Sequence, residues 1–173
     1  MPPNPPSTEN AFRPAHATRE AAWGLMSTIL LTVWAGELSV PLAERYMKDL
    51  ARLQREVPPR SIGGSIALVV EGAPIPSSEA RAILARVPTN GNVINVGTAI
   101  VIEGEGFRAS AARAVVTGIG MMNRVVPLRA FSNLEQAIAD LGVRVNGAGG
   151  TMPPAETLAG AMRVLREACA RAV

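Results

Sequence analysis

The chain has 173 residues, a formal net charge of +3, a pI near 10 and an apolar share of 48%. This length allows one domain with a buried core, and the core must be aliphatic because the chain has three Phe, two Trp and one Tyr. The basic residues are scattered along the chain, which argues against nucleic-acid binding because that function needs a clustered basic patch and, for single strands, aromatic platforms.

Few side chains of the types used in catalysis are present. Cys169 is the single cysteine, which excludes an intramolecular disulfide and a Cys-based metal site, and which fits a reducing compartment. His16 is the single histidine and lies near the N-terminus, where we expect a surface residue. No Ser–His pair is available in the predicted folded region, and no spacing of acidic residues suggests a metal site. We therefore predict a non-enzymatic protein with no metal and no cofactor.

The N-terminal part shows no targeting or membrane signal. Residues 1–17 are polar and Pro-rich, which predicts a disordered leader, and they lack the basic segment and apolar core of a signal peptide. The uncharged stretch Ala21–Gly36 is shorter than the ~20 residues that a membrane-spanning helix needs. Its Thr, Val, Ile and Trp content favours strands, so we expect a cytoplasmic protein without membrane insertion.

The first regular elements follow this leader. Ser27–Trp34 is predicted to be a strand, with a partner strand around Ala21–Met26 and a turn at Gly24. A helix is predicted over Val40–Val57, because apolar residues recur there at three- and four-residue steps. Ser39 is a suitable N-cap for that helix.

Strands and helices then alternate to about residue 141. The run Gly64–Glu71 is continuously apolar, as in a strand covered on both faces. The remaining predictions are a helix over Ser78–Val87, a strand over Val93–Glu103, a helix over Phe107–Asn123, a strand over Val125–Phe131 and a helix that starts at the capping box of residues 132–135 and ends at Leu141, before Gly142. This order predicts an α/β domain over residues 18–142, with a mostly parallel sheet of four to five strands.

The last segment, residues 143–173, departs from this pattern. It contains a Gly/Pro-rich linker over Asn146–Pro154 and an amphipathic helix over Ala155–Ala172. Two interpretations stay open for the helix: it packs on its own domain, or it is a docking or dimerisation helix.

From Ser27 to Leu141 the chain resembles a STAS domain, the fold of the anti-sigma-factor antagonists. Gly36-Glu37-Leu38 matches the family's Gly-Glu-Leu-Asp pattern, with Ser39 in the place of the Asp. Ser77-Ser78 follow the central strand, where the family carries Asp-Ser-Ser-Gly-Leu, and here Pro76, Glu79 and Ala80 replace the Asp, Gly and Leu. The resemblance implies a regulatory module that docks on another protein, often a kinase-like anti-sigma factor, and it implies Ser78 as the phosphoacceptor, with Ser77 beside it.

The loop residues themselves leave two chemical interpretations open. A serine at a strand-to-helix junction can cap the helix, or it can carry a phosphate that the helix N-terminus stabilises. The loop Glu103–Arg108 is either a tight structural turn or a phosphate cradle. Both loops follow parallel strands, so we expect them at one edge of the sheet. The predicted partner-binding residues of that surface are Ser77, Ser78, Glu79, Arg81, Phe107 and Arg108.

Two other functions remain as alternatives to regulatory docking. One is a small-ligand module that binds a nucleotide or a lipid between the two loops. The other is a structural or scaffold subunit that self-assembles through the C-terminal helix or a sheet edge.

Overall fold

Strands and helices alternate along most of the chain, as the sequence pattern predicts. The computed structural model describes residues 11–86, 91–122 and 126–172, and within the helix Gly106–Met122 it describes the side chains of residues 109–117. The strands are β1 Phe12–Ala17, β2 Ala21–Met26, β3 Ile29–Trp34, β4 Ser61–Val69, β5 Val93–Ile102 and β6 Leu128–Phe131. The helices are α1 Val40–Arg55, α2 Ser78–Leu84, α3 Gly106–Met122, α4 Leu134–Gly147 and α5 Ala155–Arg171. The chain is therefore of the α/β class.

The sheet is larger than predicted and mixed. Its strands follow chain order from β1 to β6. Antiparallel pairings join β1 to β2 and β2 to β3, whereas parallel pairings join β3 through β6. The prediction of four to five mostly parallel strands is wrong because two hairpin-connected strands precede the parallel crossovers.

Strand β1 corrects the prediction that residues 1–17 are disordered. Pro14 lies within this strand, which is possible because β1 is the sheet edge and its pairing with β2 is irregular between Pro14 and His16. An edge strand and a bulge are the places where a residue without an N–H is tolerated in a sheet. Phe12 packs against the hydrophobic core that lies between the sheet and the two C-terminal helices, α4 and α5. Residues 1–10 of the predicted leader lie outside the described residues.

The β2–β3 turn lies at Ser27 and Thr28 rather than at the predicted Gly24. Ser27 has a φ of 53°, the left-handed conformation that two-residue hairpin loops use. Gly24 lies inside β2, where a Cβ atom would be 2.6 Å from the carbonyl oxygen of Arg13. The close approach of β1 therefore explains this glycine.

Helices cover both faces of the sheet. The crossovers through α1, α2 and α3 each step to the next parallel strand in the same direction, and crossovers of one hand place all three helices on one face. Helices α4 and α5 cover the other face. The main core forms there between the sheet and the two helices, from Ile29, Leu31, Val33, Ile66, Val101, Leu141, Leu158 and Leu165, among others.

The C-terminal part differs from its prediction in the length of α4. This helix continues through Gly142 to Gly147, because Val145 extends its buried stripe by one more turn after Leu141. Helix α5 packs back on the domain: its apolar stripe, formed by Leu158, Met162, Leu165 and Cys169, is buried in the main core. This is the first of the two interpretations of that helix.

Three residues at which predicted elements begin or end lie outside the described residues: Val87, Asn123 and Val125. In the part of the chain that the structure describes, no helix combines the length and apolar character needed to cross a bilayer.

Candidate functional site

The loops that follow β3, β4 and β5 meet at the carboxyl edge of the parallel strands, where open α/β sheets usually bind ligands and partners. In the first loop, Gly36 donates its N–H to the carbonyl of Glu20 at 2.9 Å. Leu38 is buried between α1 and α2. Ser39 caps α1, because its Oγ accepts a hydrogen bond from Leu42 N. The predicted cap is confirmed, and the residues that carry the family resemblance hold the chain in place here.

The two serines after β4 differ in what their hydroxyls do. Ser77 is the N-cap of α2, and its Oγ accepts a hydrogen bond from Ala80 N at 3.1 Å. Ser78 is the first helical residue, is exposed, and makes no side-chain hydrogen bond to the described residues. Capping therefore engages Ser77, and Ser78 keeps a hydroxyl that is accessible from solvent.

The segment Ile75–Arg81, called here the α2 segment, lies largely at the surface. Ile75 is 52% exposed, and the neighbouring Ser77, Ser78 and Glu79 are also exposed. Within α2 only Ala80 is buried, and the helix is held by its contacts with Leu38 and Ala43. The segment thus presents an apolar side chain, a free hydroxyl and a carboxylate side by side.

Arg81 of α2 is half-buried and forms no ion pair with the described residues. Phe107 and Arg108 belong to the first turn of α3, which follows the neighbouring strand β5, but their side chains lie outside the described residues. Of the six predicted partner-binding residues, the structure therefore describes the side chains of four: Ser77, Ser78, Glu79 and Arg81.

The second loop, Glu103 to Gly106, is held by protein groups. Glu103 pairs with Arg166 of α5 at 2.6 Å. Arg113 of α3 donates from Nη2 to the carbonyls of Ile102 at 3.0 Å and Gly104 at 3.1 Å. These contacts fit a tight structural turn, because Glu103 and the carbonyls of Ile102 and Gly104 already have cationic partners. Sequence reasoning missed the bridge from Glu103 to Arg166, since 63 positions separate the two residues.

A cleft between the sheet and the helices α1, α2 and α3 was also missed. It consists of two adjoining cavities of about 190 and 150 Å³, called here the α2 cleft. Ala67 and Ile100 form part of its floor, Arg81 and Leu84 of α2 lie above it, and Val116 of α3 lines it as well. A signal was present in the sequence: small or polar residues at the inward positions of β4 and β5, together with a helix as short as α2, leave this face incompletely filled.

His16 is not the plain surface residue that the sequence suggested. Its ring stacks on Trp23 with centroids 4.1 Å apart, and Trp23 contacts Tyr46 edge-on at 5.3 Å. Burial and then the charge of Arg45 lower the pKa of His16, against an opposing effect of Asp49. Burial raises the pKa of Tyr46. These groups stabilise the packing of α1 on the hairpin strands.

The remaining reactive groups are few. Cys169 is buried in the main core, and burial raises the pKa of its thiol, so the thiolate that reacts or binds metals is disfavoured. In the described residues, no group of three or more His, Cys, Asp or Glu side chains could hold a metal ion. Comparison of the chain with protein-family models, with curated proteins and with solved structures found no significant match.

Proposed function

We propose that this protein is a non-enzymatic, cytoplasmic regulatory module that docks on a protein partner through the α2 segment. The observation that carries the proposal is the exposure of this segment as a unit. Ile75 places a large apolar side chain at the surface next to the exposed Ser77, Ser78 and Glu79. An apolar anchor surrounded by polar groups is a common arrangement at sites where proteins associate.

The resemblance to STAS domains supports the same surface. In that family the partner-binding loop follows the central strand, and β4 is a central strand of this sheet. The resemblance also suggests the class of partner, a kinase-like or anti-sigma regulator. Phe107 and Arg108 remain proposed members of this surface.

Ser78 is the proposed switch. A phosphate there would add nearly two negative charges next to Glu79. It would also lie at the N-terminus of α2, where unpaired N–H groups favour an anion, and three residues before Arg81. The modification would change the charge of the docking surface and leave the cap made by Ser77 intact.

The test is affinity capture from lysate of the native cell, with quantitative mass spectrometry of the captured proteins. The baits are the wild-type chain, Ser78→Glu and the matched control Thr151→Glu, which places the same charge at an exposed site after α4. We expect at least one specific partner that is retained by wild type and the control but depleted by Ser78→Glu. Equal recovery by all three baits would contradict a switch at Ser78.

A further inference from the structure

Six cationic side chains line the outer side of α1 and the amino edge of the sheet next to it. Two of them, Arg13 of β1 and Arg60 just before β4, lie at that edge. The other four recur at three- and four-residue steps along α1, which places them on one side of the helix: Arg45, Lys48, Arg52 and Arg55. All six are exposed, whereas the apolar residues of α1 pack towards the sheet. These six residues are called here the basic face.

Two carboxylates neutralise part of the basic face. Asp49 pairs with Arg45 at 3.1 Å and with Arg52 at 3.8 Å. Its side chain is 10% exposed, whereas those of Arg45 and Arg52 are 56% and 50% exposed. Glu56 pairs with Arg52 at 2.9 Å and with Arg13 at 3.3 Å. The surface therefore presents the guanidinium groups more than the carboxylate of Asp49.

The remaining cations of the basic face lack ion pairs. Lys48, Arg55 and Arg60 form no salt bridge with the described residues. Glu44 is the third carboxylate on the outer side of α1, and it is exposed. With six cationic groups and three carboxylates, the basic face keeps an excess of positive charge.

The carboxyl edge of the sheet has the opposite character. Four exposed carboxylates near it form no salt bridge with the described residues: Glu37, Glu71, Glu79 and Glu105. A negatively charged surface would attract the basic face and repel this edge. The charge distribution therefore favours one orientation on such a surface, with the α2 segment directed away from it.

We propose that the basic face binds an anionic lipid bilayer peripherally, without insertion of the chain. Each Lys or Arg close to an anionic membrane adds a comparable increment to binding, and no cleft is needed. The cations of α1 meet this requirement because they spread over about 15 Å of the convex outer side of the helix, at the helical rise per residue. The surface is separate from the α2 segment and does not depend on docking of a protein partner.

A nucleic acid fits the basic face less well than a bilayer does. Binding of single strands needs exposed aromatic rings on which bases stack. The rings of Trp23 and Tyr46 lie between α1 and the sheet, where bases cannot reach them. Binding of a duplex needs many phosphate contacts, whereas two carboxylates already engage three of the six cations.

The probe is a vesicle of phosphatidylcholine with about 30% phosphatidylserine, compared with vesicles of phosphatidylcholine alone. Co-sedimentation of the full chain measures binding. We expect saturable binding to the anionic vesicles at about 50 mM salt and none to the neutral vesicles. Raising the salt to about 500 mM should release the protein, because the screening length then falls to about 4 Å.

Two double variants with the same net charge locate the surface. Lys48→Gln combined with Arg55→Gln removes two cations of the basic face and should weaken vesicle binding about 25-fold, or about fivefold for each charge. Arg19→Gln combined with Arg163→Gln removes two exposed cations outside the basic face and should change binding by less than about threefold. Circular dichroism checks that both variants are folded.

Four results would overturn the proposal. The first is an absence of binding of the wild-type chain to the anionic vesicles, and the second is equal binding to the neutral ones. The third is an equal loss of binding in the two double variants, which would show an effect of net charge alone. The fourth is tighter binding to a short DNA duplex than to the anionic vesicles at the same salt concentration, which would assign the basic face to nucleic acid.

Discussion

Replacing Leu165 by alanine tests whether α5 belongs to the core of the domain. Leu165 is 1% exposed and packs in the main core with Leu158 and Met162 of the same helix. Truncating a buried leucine costs about 2–5 kcal/mol, from lost transfer free energy and from the cavity that remains. Against a total stability of about 5–15 kcal/mol for a typical domain, the loss would be large.

The neighbouring Val164 is the matched control, because it is 47% exposed on the outer side of the same helix. Val164→Ala should change the free energy of unfolding by no more than about 0.5 kcal/mol. Urea unfolding followed by circular dichroism measures both variants, and the midpoint should fall for Leu165→Ala with an unchanged m-value. Similar small effects of the two substitutions would refute the packing of α5 and restore its interpretation as a free docking or dimerisation helix.

Three further predictions concern local interactions. Ser77→Ala should destabilise α2 by about 0.5–2 kcal/mol through loss of its cap, whereas Ser78→Ala should change the stability of α2 by less than about 0.5 kcal/mol. Hydrogen exchange of the α2 amides measures both effects. Equal effects would contradict the assignment of Ser77 as the cap. Because burial lowers the pKa of His16, the contribution of His16 to stability is present at neutral pH and is lost as the pH falls through the lowered pKa. Lowering the pH from about 7 to about 5 should therefore reduce the free energy of unfolding of the wild type more than that of His16→Phe. Parallel pH profiles of the two proteins would argue against this. Gly63→Ala would place a Cβ 2.1 Å from the carbonyl oxygen of Thr28 in the β2–β3 turn and should lower the free energy of unfolding by about 3 kcal/mol or more. Gly160→Ala in α5 has open space around it and should raise the free energy of unfolding by about 0.5–1 kcal/mol. Thermal unfolding distinguishes these outcomes.

The elements with strong local signals could be predicted from the sequence. The helical period of α1 and its Ser39 cap, the apolar run of β4 and the stripe of α5 each need only neighbouring residues to be recognised. Strand β1 has no such signal, because Pro14 breaks its pattern and its order comes from pairing with β2. The prediction that α4 ends before Gly142 was wrong because tertiary contacts, like the pairing of β1, are not visible in the local sequence. The burial of Val145 extends α4 past a residue that commonly ends helices.

The candidate site was predictable in location but not in detail. The order of strands and helices places the loop after β4 at the carboxyl edge. Which serine caps α2 depends on the backbone geometry at Ser77, and adjacent serines look equivalent in a sequence. The α2 cleft depends on how three helices rest on one sheet face, and it is visible only once that packing is known.

The central claim, docking through the α2 segment, is tested most directly by photo-crosslinking in the native cell. A benzophenone amino acid is placed at Ile75 in one protein and at Val143 in another. Val143 is the control because it is 74% exposed and lies on α4, on the opposite face of the sheet. The account predicts a discrete crosslinked partner from Ile75 that is absent from Val143 and that is reduced by Ser78→Glu. The same products from both positions, or none from Ile75 while Val143 crosslinks a discrete protein, would contradict it.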